Sequence, residues 1–134
     1  MSFTTPLEVR ALDDGRWELV SEFCYYRTDD ESCEITVPKG FTTDFASIPR
    51  AVWVIYKPYG KTYGKAAVIH DYLYATQKHD GHPIERKWAD QVFLEAMKVL
   101  GANWFRRTAM YQSVRWFAGA AWEGHKKRLE EEND

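Results

Sequence analysis

Hydrophobic and polar residues alternate in three stretches between residues 7 and 40, after a first six residues without a pattern, and this alternation predicts β-strands. The predicted strands are residues 7–12, 16–27 and 34–37. Asp13, Asp14 and Gly15 fall between the first two strands, where glycine supplies the positive φ that a tight hairpin turn needs. We therefore expect an antiparallel β-meander over about residues 7–40.

Apolar residues recur at helical spacing in the second half of the chain, and they predict three long helices. The predicted helices are approximately residues 65–77, 83–100 and 104–128. Pro83 suits the first position of the second helix, where its missing amide costs nothing, and Gly101 can end that helix. The predicted fold class is therefore α+β, a small N-terminal antiparallel β-meander followed by three helices. We expect a single domain over residues 1–134, with a motif loop at about 41–64 and the helices at about 65–128.

The first predicted helix carries a histidine and an aspartate side by side. Ile69, His70 and Leu73 fall on one apolar face of this helix, so His70 points toward the packed side. Asp71 projects about 100° around the helix from His70. Asp90 lies on the second helix, 20 positions after His70, which permits the two side chains to meet across the connecting turn.

A polar site can be built from these residues. An imidazole exchanges protons near neutral pH, so His70 can act as a general base once a carboxylate holds its far nitrogen. Asp90 can supply that carboxylate, and Tyr74 can support Asp90. Asp71 is then available to bind Ca²⁺ with backbone carbonyls of the Tyr59–Gly64 loop, and the cation would polarise a carbonyl oxygen of a substrate.

The same residues also fit a structural interpretation. A histidine at a helix interface can be a satisfied core residue, and Asp90 can pair with Arg86, four residues earlier. A third arrangement is an acyl-transfer set of Asp44, Ser47 and His70. The favoured role of Asp44 is to cap a short helical turn, because its carboxylate can accept free backbone amides.

Composition narrows the class of protein. The chain has 134 residues, is 45% hydrophobic and carries a net charge of −2 with interspersed signs. It is therefore long enough for a packed core, and its charge pattern argues against general nucleic-acid binding. No apolar run approaches the ~18 residues of a membrane span, and no charged-then-apolar leader is visible. We accordingly expect no transmembrane segment and no secretory signal.

Two separated motifs resemble a family of small phage and prophage proteins of unknown function. The motifs are Thr43-Asp44-Phe45-Ala46-Ser47-Ile48-Pro49-Arg50 and His70-Asp71-Tyr72-Leu73-Tyr74, and Arg86, Ala89-Asp90 and Phe93 continue the pattern. The resemblance covers roughly residues 36–122 and implies a phage or prophage origin, without an established activity. We expect residues 42–50 to pack beside the start of the His70 helix, so that Asp44, Ser47 and Arg50 form a supporting loop.

A second, weaker resemblance concerns the two helices alone. H-D-x-x-Y followed by A-D-x-x-F is similar to the catalytic helix pair of the calcium-dependent phospholipases that cleave the sn-2 ester, including the compact form of parvovirus capsids. The resemblance implies that His70 is the base and that Asp90 is the carboxylate behind it. It also implies that Tyr74 is the supporting tyrosine and Asp71 the calcium ligand. The β-rich first half of this chain has no counterpart in those enzymes.

Two functions are therefore expected. The leading one is a phage-encoded accessory protein that hydrolyses an ester or amide of the bacterial envelope. The alternative is a virion- or tail-associated structural or interaction protein, whose His/Asp seam only holds two helices together. An exposed cleft at His70 would favour the hydrolase, and an apolar aromatic surface patch would favour the interaction protein. We expect the protein to be made in the host cytoplasm and, if it is a virion- or tail-associated protein, to be incorporated into the virion. We expect its partners among phage structural proteins or components of the bacterial envelope.

Overall fold

The computed structural model of the protein describes residues 7–26, 34–43 and 63–132. Its contacts divide the chain into two compact units, residues 1–44 and residues 45–134. The single-domain expectation stays a prediction, because contacts within each unit do not measure whether the two units unfold together. Each unit is described by itself below.

The described part of the first unit contains five short strands. They are β1 (Val9–Ala11), β2 (Trp17–Leu19), β3 (Phe23–Tyr26), β4 (Glu34–Val37) and β5 (Thr42–Thr43). One antiparallel sheet has the order β1-β2-β5, and β3 pairs with β4 in a second sheet. The predicted antiparallel strands are confirmed, but the single strand expected at 16–27 is two strands in two sheets. β5 lies where the alternation predicts no strand.

Local hydrogen bonds explain the order of the first sheet. Gly15 has a φ of 88°, and the amide of Leu12 donates to the carbonyl of Arg16 at 2.8 Å, which closes the predicted hairpin. Leu19 is buried at the end of β2, and its amide donates to the carbonyl of Phe41 at 2.9 Å. The chain that leads into β5 therefore satisfies the second edge of β2.

The described part of the second unit contains four helices. They are α1 (Gly64–Thr76), α2 (Arg86–Val99), α3 (Trp104–Phe117) and α4 (Gly119–Glu132), with the short strands β6 (Lys78–His79) and β7 (His82–Pro83) between α1 and α2. α1 packs against α2 and α4, and α3 packs against α2 and α4. Across the residues that the structure describes, no helix combines the length and the apolar character that a bilayer span requires. The α+β class is confirmed, with four described helices where the pattern predicts three.

The second predicted helix begins later than its pattern suggests. Pro83 pairs with Lys78 in the β6–β7 ladder, and Gly81 in the turn between these strands has a φ of 79°. The helix begins at Arg86 instead, so the assignment of Pro83 to its first position is wrong. Gly101 ends the helix as predicted, with a φ of 90° that a side chain would disfavour.

The third predicted helix is divided at Ala118 into α3 and α4. The buried positions follow a spacing of four residues across this division: Met110, Val114, Ala118 and Trp122. The sequence predicts one apolar row of Met110, Val114, Phe117 and Ala121, widened by Tyr111 and Trp122. Phe117 and Ala121 do not follow it, since Phe117 is 66% exposed and Ala121 is half-buried, whereas Trp122 is buried. Gly119, a poor helix former, directly follows the division.

A guanidinium group supports the end of α3. The two terminal nitrogens of Arg86 donate to the backbone carbonyls of Val114 and Arg115 at 3.0 and 3.1 Å. Carbonyls in the last turn of a helix need such partners when the helix does not continue. Arg86 thereby connects the start of α2 to the point at which α3 ends.

Candidate functional site

His70 and Asp90 meet in the interior of the helical unit. His70 lies in the middle of α1, and Asp90 lies in the second turn of α2. The Nε2 atom of His70 is 2.6 Å from Oδ1 of Asp90, which confirms the predicted contact between these side chains. Because an ionised carboxylate only accepts hydrogen bonds, this contact places a proton on Nε2.

Asp90 is the centre of a larger polar network. The hydroxyl of Tyr74 donates to the same Oδ1 atom at 2.7 Å. The Nη1 atom of Arg115, from α3, donates to Oδ2 at 2.7 Å, and Nη1 of Arg86 lies 3.6 Å from Oδ2. The network therefore joins α1, α2 and α3 through one carboxylate.

Aromatic rings enclose the imidazole of His70. Its centroid is 4.3 Å from that of Tyr74 and 4.6 Å from that of Phe93, and Trp122 contacts Tyr74 edge-on at 5.1 Å. The side chains of His70, Tyr74 and Asp90 have 0% exposure. The site that the sequence predicts is thus sealed inside the helical unit.

The electrostatics follow from this burial. Burial by itself raises the pKa of Asp90, but hydrogen bonds and charge from His70, with hydrogen bonds from Tyr74 and Arg115, outweigh it, so the net pKa lies below its ordinary value. Burial, and then the neighbouring Asp90 carboxylate, raises the pKa of the Tyr74 phenol. The hydrogen bond to Asp90 raises the pKa of Arg115. Asp90 is accordingly a carboxylate and Tyr74 a neutral donor at physiological pH.

This arrangement has two chemical capacities. It orients the ring of His70 as a general base requires, with a carboxylate holding Nε2. It also forms a buried ion pair between Asp90 and Arg115, with further hydrogen bonds that satisfy both carboxylate oxygens. A fully hydrogen-bonded network of this kind fixes the helices that contribute to it.

The other predicted site residues fall into two groups. Asp71 lies on α1 with 5% exposure, so it is buried beside the network. The described residues contain no cluster of three or more His, Cys, Asp or Glu side chains suited to a metal ion. The predicted Ca²⁺ site would instead use Asp71 with carbonyls of the Tyr59–Gly64 loop, most of which lies outside the described residues, so Ca²⁺ binding stays a prediction.

Asp44, Ser47 and Arg50 lie outside the described residues. Their supporting-loop role, the capping role of Asp44 and the acyl-transfer alternative therefore stay predictions. The predicted packing of residues 42–50 beside the start of the first helix also stays a prediction.

Arg115 is the network residue that the sequence analysis misses. From the sequence we expect it to lie with other arginines and lysines on a solvated helix surface, but its side chain is 27% exposed and directed at Asp90. Two features of the sequence could have indicated an inward position: Arg115 follows the apolar Val114, which is buried, and its helix has no acidic residue to pair with it. A buried carboxylate on a neighbouring helix needs a cation, and Arg115 meets that need.

The second notable feature of the helical unit is an exposed aromatic surface on α3. The exposed fractions are 66% for Trp104, 69% for Phe105, 75% for Trp116 and 66% for Phe117. Phe105 and Trp116 are separated by eleven residues, which brings them within about 20° of each other around an α-helix. Met110 and Val114, which are buried, lie about 140–180° away from them. We call the surface formed by Phe105, Ala109, Gln112 and Trp116, with the flanking Trp104, the α3 outer face.

Comparison with known proteins gives a family without an assigned activity. The family described as "Protein of unknown function (DUF1353)" matches residues 17–114. An uncharacterized protein named y4jT from Sinorhizobium fredii is 33% identical over 116 residues. The match covers 86% of this chain and 32% of the relative, so the chain spans about a third of the relative's length. No solved structure matches the chain at a significant level.

The matched region contains every member of the His/Asp network except Arg115, which directly follows its last residue. The sequence predicts membership of a family of unknown function, and the family match confirms that part of the prediction. With nearly three-quarters of its length matched, the chain belongs to the DUF1353 family.

Proposed function

We propose that this chain is a phage or prophage accessory protein whose helical unit acts as a docking module. In this proposal the His/Asp network is structural, and the α3 outer face contacts the partner. One observation carries the proposal: the polar residues expected to do chemistry are buried, whereas large aromatic residues are exposed. The phage or prophage origin rests on the resemblance of the two motifs.

Burial of His70 argues against catalysis in this state. A general base must come within hydrogen-bond reach of the water or substrate proton that it removes. His70 has no exposed surface, and its Asp90 partner is already neutralised by Arg115. Such a network is well suited to holding three helices in register.

Exposure of the α3 aromatics argues for a partner. Burying one Phe or Trp side chain is worth about 1.5–3 kcal/mol, so a protein that leaves several of them in water retains a large unused driving force. Several large apolar side chains exposed on one helix favour an interaction site. Trp and Phe are also enriched at the centres of interfaces.

The relative from Sinorhizobium fredii adds support of a different kind. Two-thirds of that protein lies outside the region that matches this chain. In that protein the matched region is therefore attached to further polypeptide, as a docking module can be.

The test compares exposed and buried substitutions in a phage-production assay. A lysogen that lacks the gene is complemented with wild type, Phe105→Ser/Trp116→Ser, or the control Gln91→Ser at an exposed position of α2. We expect the double variant to melt within a few degrees of wild type and to lower the yield of infectious particles. Gln91→Ser should leave both unchanged. A wild-type yield from the double variant would contradict the proposal.

A hydrolase remains the second candidate, and one observation favours it. His70, Tyr74 and Asp90 have the contacts that the phospholipase resemblance implies, at 2.6 and 2.7 Å. If this function holds, wild type should hydrolyse a simple phospholipid ester, and Ca²⁺ should raise its melting temperature. His70→Gln should then abolish turnover, and Asp71→Asn should abolish the Ca²⁺ effect. Absence of turnover in wild type with and without Ca²⁺ would exclude the phospholipase version.

A further inference from the structure

We infer that the partner of the α3 outer face is the surface of an anionic lipid bilayer. This inference rests on the proposed docking function and names its partner. Three observations carry it: the protruding aromatic side chains, the sign of the charges around them and the shape of the surface that they form.

The aromatic side chains have the character of residues at a membrane interface. Trp104 and Phe105 stand at one end of α3, and Trp116 and Phe117 stand at the other, each at least 66% exposed. Tryptophan is enriched where a protein meets the headgroup layer, because its ring is apolar and its N–H can remain hydrated. Phe105 and Trp116 share one side of α3, and Trp104 and Phe117 project about 100–120° to either side of it at the helix ends. A helix lying flat in that layer buries such a side and keeps its opposite side on the protein.

Along the chain, the charged residues nearest to these side chains have one sign. Residues 96–122 contain Lys98, Arg106, Arg107 and Arg115 and no Asp or Glu, although the whole chain carries a net charge of −2. Lys98 and Arg106 are exposed, whereas Arg107 is half-buried and Arg115 is paired with Asp90. The aromatic surface therefore lies in the basic part of an otherwise slightly acidic chain. Anionic headgroups attract such a surface, and acidic residues that would repel them are absent from this segment.

The shape of the surface favours a bilayer over a folded acidic protein. The exposed aromatics project from the two ends of a single helix, and the exposed, polar Gln112 lies between Phe105 and Trp116 along it. A folded partner would need a separate pocket for each projecting ring. A headgroup layer adapts to all of them at once, and it needs no complementary shape.

The test uses the full chain and two kinds of vesicle, phosphatidylcholine alone and phosphatidylcholine mixed with phosphatidylglycerol. We expect wild type to sediment with the anionic vesicles, to bind neutral vesicles more weakly and to be released by salt. Phe105→Ser/Trp116→Ser should bind roughly tenfold more weakly or worse. Gln91→Ser, at an exposed position of α2, should bind like wild type. Melting temperatures establish that each variant is folded.

A conservative pair of substitutions locates the surface that enters the lipid. Trp104→Phe/Trp116→Phe keeps the apolar rings, so it should retain binding. It should lose most of the blue shift in tryptophan emission that accompanies binding of wild type. An unchanged blue shift would place the lipid contact at other tryptophans and overturn the inference.

The outcomes separate this inference from the docking function. If wild type binds neither kind of vesicle, or binds both equally without an effect of salt, the inference is wrong. If phage yield nevertheless falls with Phe105→Ser/Trp116→Ser, docking stands and the partner is a protein. If phage yield is unaffected, the proposed function itself fails.

Discussion

At the scale of single residues, Asp90 rather than His70 organises the site. Two side chains donate to its Oδ1 atom, and Arg115 donates to its Oδ2 atom. A carboxylate without exposed surface is costly unless it has such partners, so each donor is tied to the stability of the whole helical unit. The histidine that draws attention in the sequence is one donor among several.

The lowered pKa of Asp90 predicts acid sensitivity. Because the pKa in the folded protein lies below that in the unfolded chain, the contribution of Asp90 to stability is complete above the unfolded value, near 4. It is lost as the pH falls through the lower, folded value. We therefore expect the melting temperature of wild type to fall steeply below about pH 4.

Asp90→Asn tests this expectation. The variant should be less stable than wild type at neutral pH, since Arg115 loses its anionic partner, and its melting temperature should change less between about pH 5 and pH 2. The measurement is thermal unfolding by circular dichroism across that range. Asp14→Asn is the control, because Asp14 is exposed and its pKa is lowered chiefly by hydrogen bonds from the exposed Arg16. Equal acid profiles for wild type and Asp90→Asn would count against the assignment.

At the scale of elements, α3 has both an outward and an inward role. Its inner side carries Met110 and Val114 and sends Arg115 to Asp90, and its outer side carries the exposed aromatics. Its start is fixed locally, since the side chain of Asn103 accepts the amide of Arg106 at 2.8 Å. Its end is fixed by the guanidinium of Arg86. Both ends determine where the aromatic side chains project.

The cap of α3 can be tested without touching the network. Asn103→Ala removes the acceptor for the Arg106 amide and should lower stability by about 1 kcal/mol. Asn103→Asp should stay close to wild type, because a carboxylate caps equally well and also favours the positive end of the helix dipole. The free energy of unfolding in urea gives both values. An aspartate variant as unstable as the alanine variant would show that the cap is not the source of the effect.

At the scale of the whole molecule, the division into residues 1–44 and 45–134 bears on cooperativity. The length of the chain predicts a single domain, and a single domain should show one calorimetric transition. His70→Gln removes the buried hydrogen bond from the imidazole to Asp90 and should destabilise the helical unit by about 1–3 kcal/mol. In a single domain the complete transition should move to lower temperature.

The measurement is scanning calorimetry of His70→Gln. The control is His82→Gln, at an exposed histidine of β7. Two transitions, of which only one moves, would contradict the single-domain prediction. An unchanged melting temperature with loss of phospholipid hydrolysis would instead support the catalytic interpretation of His70.

The sequence by itself determined those features that depend on short stretches of chain. Hydrophobic periodicity located α1 and most of α2, Gly15 and Gly101 marked a turn and a helix end, and the spacing of His70 and Asp90 anticipated their contact. These signals are local or join two adjacent helices, so spacing along the chain is nearly sufficient to read them.

Only the tertiary structure decided the rest. The single strand predicted at 16–27 became two because β2 pairs with β5, a partner more than twenty residues later. Arg115 faces inward because Asp90, 25 residues earlier, needs a cation. The exposure of the α3 aromatics likewise depends on which helix face α2 covers. Hydropathy identifies a residue as apolar or charged, but burial and partners are set by elements that are distant in sequence, and no local pattern encodes them.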